Sequence, residues 1–244
     1  MKTERCGFTI HYQNLALLEA TAKEIFDDTQ YAFESLQSEP FIIDVGSSIG
    51  LATLYFKHHY PSAKILCFEP DPTSFDLLAK NIASNNLQDV TLINAAVSKK
   101  SGQTNLYGQI FSEQPDSRGN SIVDLWANQR QKNDTLSVNA VRLSSYINSE
   151  VDLLKIDIEG AEQQILEELK EKLHYIKEIF IEVHTIELMD EINSLDKVIE
   201  ILNRSGFKVS YVDKTAQALF PIEINEWVKQ NDPKLFFVRA KRKS

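Results

Sequence analysis

"FIIDVGSSIG", residues 41 to 50, runs apolar residues up to Asp44 and then enters a loop with two glycines. A strand apolar on both sides suits a parallel sheet covered by helices on both faces, so polarity begins at its carboxyl end. The chain has 8 glycines in 244 residues, and Gly46 and Gly50 therefore mark a turn and a close approach of helix to strand rather than a flexible tract. A strand, a tight glycine loop and a helix start make the corner where open α/β sheets take ligands.

Working outward from this corner, short β-rich apolar runs alternate with helical patterns, at 41–45, 64–69, 90–97, 153–158, 178–184, 208–212 and 235–239. The fold class is therefore α/β, with a Rossmann-like seven-stranded sheet and helices on both faces. Asp71 before Pro72, with Leu77, Leu78 and Ile82 at helical spacing, predicts a capped helix over about 72–85. Asn193 or Ser194 caps another through Val198, Ile201 and Leu202, which Gly206 ends. Residues 1–40 carry amphipathic helical patterns (Leu15, Leu18, Ala22, Ile25, Phe26) and predict a helical cap beside a 41–244 domain. Within that domain 101–137, broken by Gly102, Gly108, Pro115 and Gly119, reads as an irregular insertion on the substrate side.

Composition narrows the function classes. Lys+Arg 26 against Asp+Glu 35 gives a net charge of -9, which argues against a nucleic-acid partner, since that needs a concentrated basic footprint. Cys6 and Cys67 are far apart and form no CxxC pair, so reduced thiols and a cytoplasmic location are expected. The apolar run at 15–18 stops at Glu19, too short for a signal core or a membrane span. Nothing in the chain sets an oligomeric state.

The loop discriminates between cofactors. Aligning G-x-G-x-x-G on Gly46 puts Ser48 at the second glycine and Leu51 at the third, which disfavours NAD and a dehydrogenase. A phosphate-cradling G-x-x-x-x-G-K-[ST] fails because Leu51-Ala52-Thr53 follows Gly50. What remains is D-x-G-x-x-x-G over Asp44, Gly46 and Gly50, a loop for a ligand without phosphates. In it, Asp44 accepts hydrogen bonds from an amine or holds the loop. Glu69 ends the second strand 19 residues beyond Gly50, where a carboxylate bonds both hydroxyls of a ribose. An Asp-x-Gly loop alone is often a plain turn and a strand-terminal Glu a solvated carboxylate. Their conjunction describes a nucleoside with an amino-acid arm, S-adenosylmethionine.

A second stretch, "VDLLKIDIEGAE" (151–162), ends a buried strand in three ionisable residues. Alternation puts Lys155, Asp157 and Glu159 on one side, and buried charges need partners. With "IIDVGSSIG", "FEPDP", "LAKNIASNN", "INAAVS" and "IFIEVH", the chain resembles the FkbM-type methyltransferases over about 41–190. It departs from them at Ser47-Ser48, where Ala-Asn is commoner. The resemblance implies the class I methyltransferase strand order 3-2-1-4-5-7-6 with the last strand antiparallel, which the lack of a crossover-helix pattern over 213–234 tolerates. It also implies O-methylation of sugars, polyketides or other secondary metabolites. Carried over by position, Asp44, Gly46, Ser48 and Gly50 line the cofactor loop and Glu69 takes the ribose. Asn94 and Ala95 flank the adenine, and Asp157 sits by the methionine arm.

Methyl transfer from a sulfonium needs an oriented, deprotonated acceptor oxygen. His184, closing "EIFIEVH" on the same strand side as Glu182, is the expected base, with Glu159 second. Metal-free transfer is the expectation. A magnesium or manganese ion held by Asp157, Glu159 and His184 is the alternative. His11 and His174 fall in surface-like helical patterns, and Cys67, Trp126 and Trp227 are expected to pack. Arg118, Asn120, Ser121 and, where it does not pack, Trp126 face either substrate or solvent. The competing classes are a S-adenosylmethionine-binding module without turnover and an NAD-dependent oxidoreductase. The small-molecule acceptor itself is illegible, because it is set by 1–40 and 101–137.

Overall fold

The computed structural model describes residues 1–110, 119–127, 134–215 and 230–243, so Pro115, Arg118 and Trp227 lie outside the described residues. The chain opens with a hairpin, β1 (Lys2–Arg5) and β2 (Phe8–His11), turned at Cys6 and Gly7 with φ of 56° and 81°. Helix α1 (Leu15–Ala22), capped by the Asn14 side chain, continues into a π-helical turn over Lys23–Asp27. Within the segment 1–40 expected as a helical cap, the first eleven residues form this hairpin instead, and His11 lies on a strand and not in a helical pattern. Thr3-Glu4-Arg5 and Phe8-Thr9-Ile10 flank a Cys-Gly turn, and period-two alternation outweighs helical periodicity there.

The remaining elements follow in chain order: β3 (Phe41–Val45), α2 (Leu51–His59), β4 (Lys64–Phe68), α3 (Pro72–Ser84), β5 (Val90–Ile93), β6 (Ala96–Val97), β7 (Gly102–Gly108), α4 (Asp124–Ala127), β8 (Asp134–Val141), β9 (Val151–Ile156), α5 (Glu162–Glu168), β10 (Ile176–Thr185), α6 (Leu195–Arg204), β11 (Phe207–Asp213) and β12 (Lys234–Arg242). Seven strands form one sheet in the order β5-β4-β3-β9-β10-β12-β11. β12 runs antiparallel to both neighbours, and the β3, β4, β5, β9 and β10 pairings are parallel. This is the order the sequence resemblance implies. Between β3 and β9 the sheet is extended in opposite directions, which makes their carboxyl ends the topological switch point.

Alternation along the central strands sorts the core into two faces. Ile43, Val45, Leu154, Ile156, Ile179 and Ile181 pack with α5 and α6, while Ile42, Leu153 and Phe180 pack with α2, Leu78 of α3 and the N-terminal residues Ile10, Leu18 and Tyr31. Caps form where the sequence places them: Asp71 accepts from Thr73 and Ser74 N–H, Ser194 from Lys197 N–H. The insertion expected to be irregular has strands at both ends. β7 pairs antiparallel with β8, which also pairs with β6, and Leu106, Val138, Ala96 and Ile110 form a small core beneath them. One face of β7–β8 is solvated, and terminal glycines mask the alternation in sequence.

The hairpin is tied down by amides of α3. Asn81, fully buried, accepts from His11 N–H at 2.6 Å and donates to His11 and Ile49 carbonyls. Asn85 accepts from Thr9 N–H at 2.9 Å and returns a bond to the Thr9 carbonyl. These side chains supply the strand partner that β2 lacks on that edge. Replacing Asn81 by Leu is expected to lower stability by about 1–3 kcal/mol through the unpaired buried backbone groups. Hydrogen exchange at the His11 amide should accelerate more than at β9.

Candidate active site

The glycine loop after β3 is shaped by protein, not by ligand. At Gly46 (φ 78°) an added Cβ would lie 1.8 Å from the Asp157 carbonyl oxygen, and at Gly50 (φ 93°) 2.6 Å from a methyl of Leu78. Gly46 is thus pressed against the end of β9 and Gly50 against α3. Ser48, at φ 48°, completes the turn. Gly46 and Ser47 N–H both bond the Phe68 carbonyl at 3.0 Å, and Ser48 N–H bonds Glu69 Oε2 at 2.8 Å.

Asp44, expected to line the cofactor loop, is fully buried beneath it. Its Oδ2 accepts from Thr53 Oγ at 2.8 Å, and its Oδ1 faces Lys155 Nζ at 3.3 Å as an ion pair without hydrogen-bond geometry. Lys155 also donates to the Gly46 carbonyl at 2.7 Å and pairs with Asp157 at 3.4 Å. Burial opposes the lysine charge, but Asp44, Asp157 and Glu182 more than offset it and hold the ammonium above its ordinary value. Asp44 takes the second of the roles open to it in sequence, that of holding the loop.

A cleft with two lobes opens over the switch point, the lobes sharing Gly46, Ser48, Asp157 and Glu159. The first encloses about 950 Å³, open mouth included, between the N-terminal segment (Tyr12, Asn14, Leu17, Tyr31) and Lys155, Asp157 and Glu182. The second, about 700 Å³, is walled by Glu69, Ser74, Ala95, Val97, Leu106 and Asn120. Glu69 Oε1 accepts from Asp71 N–H at 2.8 Å, and burial pushes its carboxyl up to about 8. Ala95 faces this lobe. Asn94 does not; its amide donates to the Glu69 and Pro70 carbonyls and fixes the turn.

His184 is buried and lines neither lobe. Its Nδ1 meets Glu162 Oε1 at 3.1 Å and its Nε2 stands 3.5 Å from Glu159 Oε2, with the Trp126 ring edge-on at 5.3 Å. Burial would lower its pKa, yet Glu159 and Glu162 raise it well above the ordinary value. An imidazolium in that setting is a poor proton acceptor, which weakens the expectation of His184 as base. Glu159, the second candidate, lies where the lobes meet, at φ 60°. Trp126 Nε1 donates to its carboxylate at 2.7 Å and Ser121 Oγ to its carbonyl at 2.6 Å. Trp126 and Ser121 therefore serve the site, and Asn120 lines it.

Several contacts of the site gave little or no signal in sequence. Fully buried Glu162 accepts from Gly160 N–H, His184 and Asn193, so Asn193 is a hub rather than a helix cap. Glu182 accepts from Gln30 and from Tyr31 OH, each at 2.6 Å, and burial with the nearby Asp157 carboxylate lifts it to about 8. One oxygen each of Asp157 and Glu182 and one ring nitrogen of His184 lie within 4.8 Å of one another. The pairings across 1–40 depend on tertiary approach alone.

A sheet of this order and polarity, with its cleft across the first and fourth strands, defines the class I methyltransferase fold. The Methyltransferase FkbM domain matches residues 44–209, and the chain belongs to that family of S-adenosylmethionine-dependent methyltransferases. Methyltransferase sdnD of Sordaria araneosa is 34% identical over 194 residues, 67% of this chain and 74% of that protein. The 31-O-demethyl-FK506 methyltransferase FkbM of Streptomyces tacrolimicus is 24% identical over 237 residues, 83% and 86% of the two chains. The solved methyltransferase FkbM from Methylobacillus flagellatus aligns with a TM-score of 0.52 at 12% identity, covering 89% of this chain and 47% of that one. No lysine or arginine among the described residues lines the Glu69 lobe, and Lys155, the cation of the first lobe, is already paired. A net-negative cleft of this kind fits a donor with a cationic sulfur and ammonium, and leaves the nicotinamide reading without support.

Lys155→Met strands the Asp44 carboxylate and is expected to cost about 3–5 kcal/mol, part of it recovered in the double variant with Asp44→Asn; denaturant melts of the four proteins measure this. A second expectation concerns pH. Because the Glu69 pKa rises from 4.5 to about 8 on folding, its contribution to stability is full below about pH 4.5 and lost as pH rises through about 8. Glu69→Gln should flatten the wild-type decline in stability across that window.

Proposed function

We propose that the protein transfers the methyl group of S-adenosylmethionine to a hydroxyl of a small molecule. The observation that carries this reading is the shared wall of the cleft. Glu69 lies in one lobe, Asp157 and Glu159 at the junction, and a chamber of mixed polarity behind the N-terminal segment in the other. Bound across the junction, the cofactor supplies an electrophilic methyl. Glu69, Ala95 and the turn fixed by Asn94 would hold its nucleoside, and Gly46, Ser48 and Asp157 would border its methionine arm.

Glu159 takes the acceptor proton in this proposal, because it faces both lobes and Trp126 fixes its carboxylate. His184, charged and behind it, steadies that carboxylate. The likeness to a relative named for 31-O methylation and the net charge of -9 support a small-molecule hydroxyl over nucleic acid. No described helix is long and apolar enough to cross a membrane, and the free cysteines suit work in the cytoplasm.

Calorimetry with S-adenosylmethionine is expected to show saturable binding, with none for NAD, and Glu69→Ala should weaken it by about tenfold, through the lost pair of hydrogen bonds to the ribose hydroxyls. Transfer of labelled methyl to a panel of hydroxylated acceptors should fall by about 10²–10⁴ in Glu159→Gln while cofactor binding persists. Undiminished turnover in that variant would remove Glu159 from the role of base. Binding without turnover on any acceptor would favour a module that holds the cofactor only.

A further inference from the structure

Beyond the methyl-donor site, we propose that Asp157, Glu182 and His184 bind a divalent cation, magnesium or manganese, at the wall of the first lobe. Their candidate ligand atoms already lie within 4.8 Å of one another. Two carboxylate oxygens and one imidazole nitrogen suit a hard or borderline divalent ion.

The orientation of His184 is the independent observation. Its Nδ1 is engaged by Glu162 at 3.1 Å, and Glu162 is itself fully buried and held by Gly160 N–H at 3.0 Å and Asn193 Nδ2 at 2.5 Å. A carboxylate that fixes one ring nitrogen and leaves the other without a hydrogen bond is how protein matrices prepare a metal-binding histidine. Nε2 makes no hydrogen bond among the described residues, though the side chain is 7% exposed; its neighbour Glu159 stands off at 3.5 Å. A cation would take the place of the second ring proton.

The charge balance points the same way. Glu182 lies one alternate position beyond Phe180, which pairs with Lys155, so Glu182 and Asp157 come together at the strand ends. The nearby Lys155 is shared with Asp44 and the Gly46 carbonyl. Partly buried, and with Asp157 already paired in part with Lys155 at 3.4 Å, the two carboxyl groups still crowd one another, and a cation between them would relieve that crowding. This set differs from the one the sequence suggested, since Glu182 replaces Glu159. Glu159 then remains free to take a proton from an acceptor oxygen on the ion. That last role rests on the methyl-transfer reading, whereas the ion site does not.

Mn²⁺ titrated into EDTA-stripped full-length protein, with the free ion followed by electron paramagnetic resonance, is expected to fill one site per chain. Pulsed measurements on the bound ion should show coupling to a single imidazole nitrogen. Glu182→Gln and His184→Gln should each weaken Mn²⁺ binding by about 10–100-fold, with S-adenosylmethionine affinity kept and folding checked by thermal melts. If a variant fails to fold, the nitrogen coupling in the wild type decides. Absence of stoichiometric Mn²⁺ binding, absence of nitrogen coupling, or undiminished binding in both folded variants overturns the site. Cofactor binding and turnover with no Mn²⁺ uptake would overturn the ion site and leave the methyltransferase reading intact. Mn²⁺ uptake without cofactor binding would do the reverse.

Discussion

Asp44 and Lys155 are direct register partners on β3 and β9, meeting at the one place where the sheet is extended in opposite directions. Forming a buried ion pair from solvated groups is close to neutral in free energy, but breaking one leaves a charge stranded in the interior. Its effect is therefore on specificity. A slip of β9 by one residue would leave Asp44 facing apolar neighbours and turn Lys155 toward the opposite core. The same ammonium holds the Gly46 carbonyl and Asp157, so the pair that sets strand register also places the loop and the acidic strand end on either side of the cleft.

Carboxylates dominate everything above that pair. Alternation along β9 and β10 lays Lys155, Asp157 and Glu159 beside Phe180, Glu182 and His184, and the charges accumulate where the strands end. Such concentration is expensive, and the fold meets it with Lys155, with the imidazolium of His184, and with donors from Gln30, Tyr31, Trp126 and Asn193. Glu159 and Gly160 both adopt positive φ, a backbone cost of about 1–3 kcal/mol for a non-glycine residue that clusters at functional sites. The strain aims Glu159 into the junction of the lobes, while Glu162 anchors the turn from behind.

The N-terminal segment is the other determinant of the site. Tyr31 stacks on Phe180, sits against Phe56 and Phe237, and bonds Glu182. Arg239 of β12 donates to the Gln30 carbonyl at 2.7 Å. The wall of the first lobe is thereby packed against and bonded to the strands that end in the acidic cluster.

The strand order followed from the family resemblance, whereas the seven strands, the Asp71 cap, the switch-point loop and the place of Glu69 and Asp157 just past strand ends were legible in the residues themselves. Each depends on local periodicity or on turn chemistry that a short window contains. The hairpin at 2–11 and the β7–β8 pair were not, because half of each faces solvent and their partners are distant: the α3 amides in one case, β6 in the other. Asp44 kept two roles open until burial chose the structural one. His184 was correctly placed at a strand end, yet its charge state was set by Glu159 and Glu162 approaching through the fold. Periodicity tells which way a side chain points. What stands opposite it, and hence its protonation and its chemistry, is decided when distant segments close around it.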